Sequence, residues 1–324
     1  MEILAVDDDP IIRDLVQTTL SAVNACEITT ASSGAEALEI LSAPETKFDC
    51  LLLDIEMPEM DGIALCRKIR SLPGYLYTPI LMLTQRTDAI AVGRAFVAGA
   101  TDYVTKPFEA GDLRSRLRVA ERMMKRTEAT LHISAQDLET GSPGVHHFDD
   151  SQAVHIEDIP QLVLPFSLGA YLSQLSRSSL DDCHVFAVSI DNFQQLYANG
   201  TTAEVRTAIV AVTRLIAQSI SCPELLMTHN GGGMLLCVVT TEHLPDWDDV
   251  ENAIQRQLGE LVPRYEHGGK MNLTLSIGKP IQPNASATQR VKRTFDRAIQ
   301  RVKSARTESL TGSQPDLHPA AAAS

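Results

Sequence analysis

Over the first 125 residues, short apolar runs alternate with amphipathic stretches. The runs are Ile3–Val6, Ile28–Thr30, Cys50–Leu53, Ile80–Leu83 and Asp102–Thr105. Between them, apolar residues recur at helical spacing in Ile11–Val23, Gly34–Leu41, Gly62–Arg70, Asp88–Ala98 and Asp112–Met124. Strands alternating with helices of this length predict a doubly wound parallel sheet. The last stripe does not stop at the domain edge. Leu113, Leu117, Ala120, Met124 and Leu131 keep helical spacings, with Arg and Glu between them. Such a stripe either covers the sheet or continues as a connecting or dimerising helix.

Periodicity fades between Thr127 and about Pro160, where Gly141-Ser-Pro-Gly144 is a breaker cluster among acidic and His residues. Residues 126–160 are therefore expected to be a helical extension and linker. His146, His147 and His155 in it have no further ligands at metal-like spacing and are expected to be solvated. A second α/β region is expected over 161–307, and the Ala/Ser/Pro-rich residues 308–324 form an expected disordered tail.

Composition narrows the chemistry. The 324 residues carry a formal net charge of −13 at pH 7, and 44% are hydrophobic, enough for ordinary globular cores. That charge argues against a phosphate-backbone-binding surface, so no DNA partner is expected. The six cysteines show no C-x-x-C and no pairing with His, and read as small buried hydrophobes in a reducing compartment. No run reaches the ~18 apolar residues of a membrane helix, and no leader pattern opens the chain, so a cytoplasmic protein without membrane insertion is expected.

In a doubly wound sheet, all strand C-termini open on one edge, where ligands bind. Here the first strand runs into Asp7-Asp8-Asp9, the third ends in Asp54, the fourth in Thr84, and Lys106 follows the fifth. Carboxylates converging on one edge repel unless a hard cation sits among them. Mg²⁺ takes one or two carboxylates, a carbonyl and waters, with room for a phosphoryl oxygen. A carboxylate beside it is a nucleophile for phosphoryl transfer.

The segments Val6-Asp-Asp-Asp-Pro10, Leu53-Asp-Ile-Glu-Met-Pro-Glu-Met-Asp-Gly62, Thr84 and Gly99-Ala-Thr-Asp-Tyr-Val-Thr-Lys-Pro107 resemble the receiver family of response regulators over residues 1–125. The resemblance implies a flavodoxin-like fold with Asp54 as phospho-acceptor. It makes Asp8 a direct Mg²⁺ ligand, Asp7 a water-mediated one, and the Glu56 backbone carbonyl the third protein ligand. Thr84 and Lys106 would hold phosphoryl oxygens, and Tyr103 would be the aromatic switch. One departure is Gln85, where the family usually has Ala or Gly; its long side chain could crowd the entry path.

In the second region, Val185–Phe193, Gly231–Val239, Asn272–Gly278 and Phe295–Lys303 resemble the GGDEF family, which condenses two GTP into cyclic di-GMP. The resemblance implies an α+β, nucleotidyl-cyclase-like domain, and also shows what it lacks. The metal-binding Asp falls on Ser189, and the two signature acids fall on Gly233 and Met234. The guanine-reading Asn falls near Tyr197, and the product-inhibition motif on Cys222–Leu225. Gly231, Gly232, Phe193, Asp191 and Lys303 survive, as a fold would keep glycines and a Phe for turn and core. No catalytic residue remains in this domain.

The expected protein is thus a two-component response regulator, phosphorylated by a histidine kinase or phosphotransfer protein. Its inactive GGDEF-like output domain would bind an unidentified protein partner. A homodimer through the receiver is the second expected partnership. Two alternatives stay open: a non-catalytic GTP or cyclic di-GMP sensor, and a residual diguanylate cyclase.

Overall fold

A computed structural model gives the fold of the chain, and describes all residues except 22–25, 45, 86–88, 128–130, 133–141, 157–158, 223, 242, 261–262, 264–268, 284–288 and 312–324. The first half is built as the alternation predicts. Strands β1 (Glu2–Val6), β2 (Glu27–Ala31), β3 (Cys50–Asp54), β4 (Ile80–Thr84) and β5 (Asp102–Thr105) form one parallel sheet in the order β2-β1-β3-β4-β5. Helices α1 (Pro10–Ser21), α2 (Gly34–Leu41), α3 (Gly62–Arg70), α4 (Ala89–Val97) and α5 (Ala110–Thr127) join and cover them. The central strands β3 and β4 are buried at every position, as strands covered on both faces must be. Caps set two of the helix starts: Ser33 accepts from the Glu36 N–H, and Asp61 from the Ala64 N–H.

The stripe on α5 has its partner within the domain. Leu113, Leu117 and Ala120 are buried with Ile3, Ala5, Leu52 and Val104 of the sheet. The helix ends at Thr127, and Leu131 lies in a two-residue strand, β6 (Leu131–His132). So Leu113, Leu117 and Ala120 are not a free dimerising face; the side chains of Met124 and Leu131 lie outside the described residues.

The second half adds β7 (Val154–His155), α6 (Pro165–Gln174), α7 (Arg177–Asp181), β8 (Cys183–Ile190), α8 (Phe193–Asn199) and α9 (Thr202–Ile220). Then follow β9 (Leu226–His229), β10 (Met234–Thr240), α10 (Trp247–Glu260), β11 (Leu275–Ile277) and α11 (Arg290–Thr311). Its sheet runs β11-β8-β10-β9 with antiparallel neighbours, and a parallel bridge from Leu162 to Met227 makes it mixed. Period-two alternation sorts its side chains: Phe186, Val188 and Ile190 pack with α9 and α10, while Val185 and Ala187 pack with α6 and α11. The expected linker is solvated only in part: residues 142–145 and His147 are exposed, but apolar residues after them are packed. Phe148, Val154, Ile156 and Ile159 are buried in the α9–α10 core, and His146 is bonded to Tyr197 and Thr202. Helix α11 continues to Thr311 through the start of the expected tail, whose remainder lies outside the described residues.

The two halves share a core. Val92, Ala95 and Phe96 of α4 and Tyr103 of β5 belong to one buried cluster with Leu168, Tyr171, Leu172 and Leu175 around α6. Phe96 meets Tyr171 edge-on at 5.5 Å and Tyr103 at 6.5 Å between ring centroids. Arg290 of α11 closes the end of α6, its Nη1 donating to the Leu175 carbonyl at 2.9 Å.

Candidate functional site

The strand ends assemble one acidic pocket. Asp7 follows β1, Asp54 ends β3, Thr84 ends β4, and Lys106 follows β5. Oxygens of Asp7, Asp8 and Asp54 all lie within 4.8 Å of one another. The Lys106 Nζ donates to Asp7 Oδ2 at 2.6 Å and lies 2.9 Å from Asp54 Oδ1. Asp7 and Asp54 are buried, whereas Asp8 is exposed, so the pocket opens to solvent on the Asp8 side. Sequence reading missed Arg13. Its Nη1 donates to the Asp7 and Asp8 carbonyls at 2.6 and 3.0 Å, pinning the acidic loop from the first turns of α1. The signal available was an Arg about one helical turn beyond the acidic run.

Burial pushes the Asp54 carboxyl above the usual carboxylate range, the nearby Asp7 charge adds to this, and the Lys106 bond only partly opposes it. Burial alone would lower the Lys106 ammonium; its bonds to Asp7 and Asp54 outweigh that and hold it above the ordinary lysine value. The result is a carboxylate poorly solvated yet beside a fixed cation. Gly62 makes this geometry feasible, because a Cβ there would lie 2.0 Å from the Asp54 carbonyl oxygen.

The donor set suits a hard divalent cation. Octahedral Mg²⁺ spaces its oxygen ligands about 3 to 4 Å apart, and the three carboxylates here lie within 4.8 Å of one another. Glu56 follows Asp54 by two residues with its side chain exposed, and its backbone N–H bonds the Asp54 carboxylate. Thr84 is fully buried at the end of β4, and Gln85 beside it is exposed. Tyr103 is the predicted residue that stands apart. It is buried against the second domain, with its hydroxyl donating to the Gln174 carbonyl at 3.4 Å.

Residues 3–118 match the family described as response regulator receiver domain. The N-terminal domain is a response regulator receiver domain. Among its relatives, the response regulator MprA of Mycobacterium leprae is 40% identical over 140 residues, 43% of this chain and 59% of that protein. The transcriptional regulatory protein SrrA of Staphylococcus aureus is 39% identical over 129 residues, 40% of this chain and 50% of that one. The chain thus spans between half and three-fifths of the length of these relatives. Among solved structures, the chemotaxis protein CheY4 of Vibrio cholerae is 36% identical, covering 37% of this chain and 97% of its own, with a TM-score of 0.35.

These relatives overturn one expectation. A receiver relative is named a transcriptional regulatory protein, so excluding DNA on net charge does not stand. The physical reason is that charge acts locally and a chain-wide sum hides it. Along α11, Lys292, Arg293, Arg297, Arg301, Lys303 and Arg306 are all exposed, with Asp296 the one exposed acid among the described side chains of the helix. Among the described residues, no helix is long and apolar enough to cross a membrane.

In the second domain, the positions singled out by the resemblance do come together. Met234 pairs with Ser189 across β10 and β8, Ser276 pairs with Ser189 from β11, and Gly231, Gly232 and Gly233 form the turn before β10. All three glycines have positive φ, and a Cβ on Gly231 would lie 2.0 Å from the Ser151 carbonyl oxygen. Asp191 is tied up locally: it accepts from the Ser276 hydroxyl at 2.7 Å and faces Arg306 at 3.6 Å.

Proposed function

We propose that this chain is a phosphorylation-controlled regulator in which Asp54 accepts a phosphoryl group from a histidine kinase or phosphotransfer protein. The observation that carries the reading is the buried Asp54 carboxylate held 2.9 Å from the Lys106 ammonium, with Asp7 and Asp8 converging beside it. An Asp54 oxygen attacks the phosphorus, the bond from phosphorus to the donor nitrogen breaks, and a mixed anhydride forms on Asp54. Asp7, Asp8 and the Glu56 carbonyl would hold Mg²⁺, which when bound neutralises the charge of the incoming phosphoryl group. Lys106, freed from Asp54, pairs with a phosphoryl oxygen, and the Thr84 hydroxyl donates to another.

The second domain acts as a binding module without catalysis. Where a cyclase would need carboxylates for two metals, Ser189 offers a hydroxyl, Gly233 no side chain and Met234 a thioether. The remnant site is also covered. The Gly232 N–H donates to the Asp150 carbonyl at 2.7 Å, and His146 stacks on Tyr197 at 4.1 Å, the place where a guanine reader would stand. These contacts favour the binding module over a GTP or cyclic di-GMP sensor and over a residual cyclase. Signal would pass through the seam of α4, β5 and α6, because Tyr103 lies three residues before Lys106 on the strand that the phosphoryl group pulls.

Incubation with acetyl phosphate and Mg²⁺ should add one phosphate to the wild-type chain and none to Asp54→Asn. The same activated protein, given GTP, should form no cyclic di-GMP by mass spectrometry. Undiminished labelling of Asp54→Asn, or product above a no-enzyme control, refutes the corresponding half of the reading.

A further inference from the structure

Helix α4 is packed tightly on the second domain, but α5 is not. Between α5 and the α6–α11 side of the second sheet lies an open cavity of about 700 Å³. Ser115 and Val119 of α5 line one side, and Phe166, Val291 and Phe295 the other. Thr228 of β9 also lines it. Leu226 of that strand packs in the core shared with α6 and Met227 in the opposite one, so alternation turns Thr228 toward α6 and the cavity. Thr228 is 1% exposed, and its Oγ1 has no hydrogen-bond partner among the described residues. A buried hydroxyl without a partner costs stability, so its retention here needs a reason.

The charged groups on the lining are Asp102, Asp112 and Arg116. Arg116 pairs with Asp102 at 3.1 Å and Asp112 at 3.4 Å, which leaves one net negative charge and no spare cation on the lining. Anions, nucleotides among them, are therefore disfavoured. Two phenylalanines and two valines favour a flat apolar body.

We propose that this cavity binds an uncharged planar aromatic molecule carrying one hydrogen-bonding group, its ring against Phe166 and Phe295 and its polar group on the Thr228 hydroxyl. The site has walls from both domains, and occupancy stabilises their docked arrangement. It shares no residue with the Asp54 pocket.

The test uses the full-length chain and 2-naphthol, followed by its fluorescence, with 2-naphthoate as the charged counterpart. Wild type should bind 2-naphthol saturably, one per chain, and 2-naphthoate roughly tenfold more weakly, since its carboxylate meets the acidic lining. Thr228→Val keeps the shape but removes the hydroxyl. It should weaken 2-naphthol binding by about tenfold, while the Tm of the ligand-free protein stays level or rises. Ser115→Trp, at an exposed position on α5, should fill the cavity and abolish binding without a loss of Tm. The proposal is overturned by unsaturable binding, by binding that survives Ser115→Trp, by equal affinity for the two probes, or by a lower ligand-free Tm in Thr228→Val.

Discussion

If the seam between the halves is a true core, damage to the receiver must be felt on the far side of the second domain. Phe96 is the place to apply it, because it is fully buried and touches aromatic rings on both sides of the seam. Its edge-on contacts with Tyr171 at 5.5 Å and Tyr103 at 6.5 Å fall in the favourable range, and each contributes about 0.5 to 1.5 kcal/mol beyond area burial. Phe96→Leu keeps most of the volume and removes both, an expected cost of about 1 to 3 kcal/mol. The chain has one tryptophan, Trp247, packed on Phe186 in the core on the opposite face of the second sheet. Its fluorescence in a urea titration reports only that domain. Phe96→Leu should lower the Trp247 midpoint together with the far-ultraviolet circular dichroism midpoint. A cycle with Tyr171→Leu should return a coupling of about 0.5 to 1.5 kcal/mol, the shared ring contact. An unmoved Trp247 transition, or a coupling below about 0.3 kcal/mol, would mean that the halves unfold independently and that the seam transmits nothing.

Two further outcomes follow from buried charges. Burial raises the Asp54 carboxyl above its unfolded value, so the folded state binds that proton more tightly. Its contribution to stability is then present at low pH and lost as pH rises through the folded value. Asp54→Asn should accordingly raise Tm at neutral pH, with the gain shrinking in thermal melts carried toward acid; a lower Tm at neutral pH contradicts this. Arg70 is a buried guanidinium that donates to the carbonyls of Gly99, Tyr75 and Thr78, so Arg70→Met leaves three acceptors without it. The expected loss is on the order of 3 kcal/mol by urea denaturation, and a loss under about 1 kcal/mol would show that these carbonyls find other partners.

The receiver was legible because its information is local. Each apolar run names a strand, and each polar residue just past a run names a side chain at the sheet edge. That is why Asp7, Asp54, Thr84 and Lys106 could be gathered from spacing alone. Tyr103 was legible as a residue but not as a contact, since nothing in it or its neighbours states that Gln174 lies above it. The stripe of α5 illustrates the same limit from the other side. Leu113, Leu117 and Ala120 have the spacing of a dimer seam, yet an identical spacing covers a sheet, and here it does. The expected linker failed for a different reason. Phe148, Val154 and Ile156 are single apolar residues among polar ones, too sparse to register as an element, though each is buried.

The seam itself shows what periodicity omits. Helix α4 is apolar nearly all round, a pattern that says it is buried without saying by what. Its own sheet accounts for one side. Val92 and Phe96 recur one turn apart, and the second side becomes intelligible only once Leu168, Tyr171, Leu172 and Leu175 of the α6 region are found against it. Those residues in turn form a stripe that the second sheet cannot wholly cover. Two over-apolar helices in one chain, separated by some seventy residues, each need a surface the other supplies. A receiver whose α4–β5 face is sealed in this way leaves any movement of that face nowhere to go but into the packing of α6. Under the proposed control, the state of Asp54 would be tied to the placement of every element that rests on α6, Arg290 and α11 included.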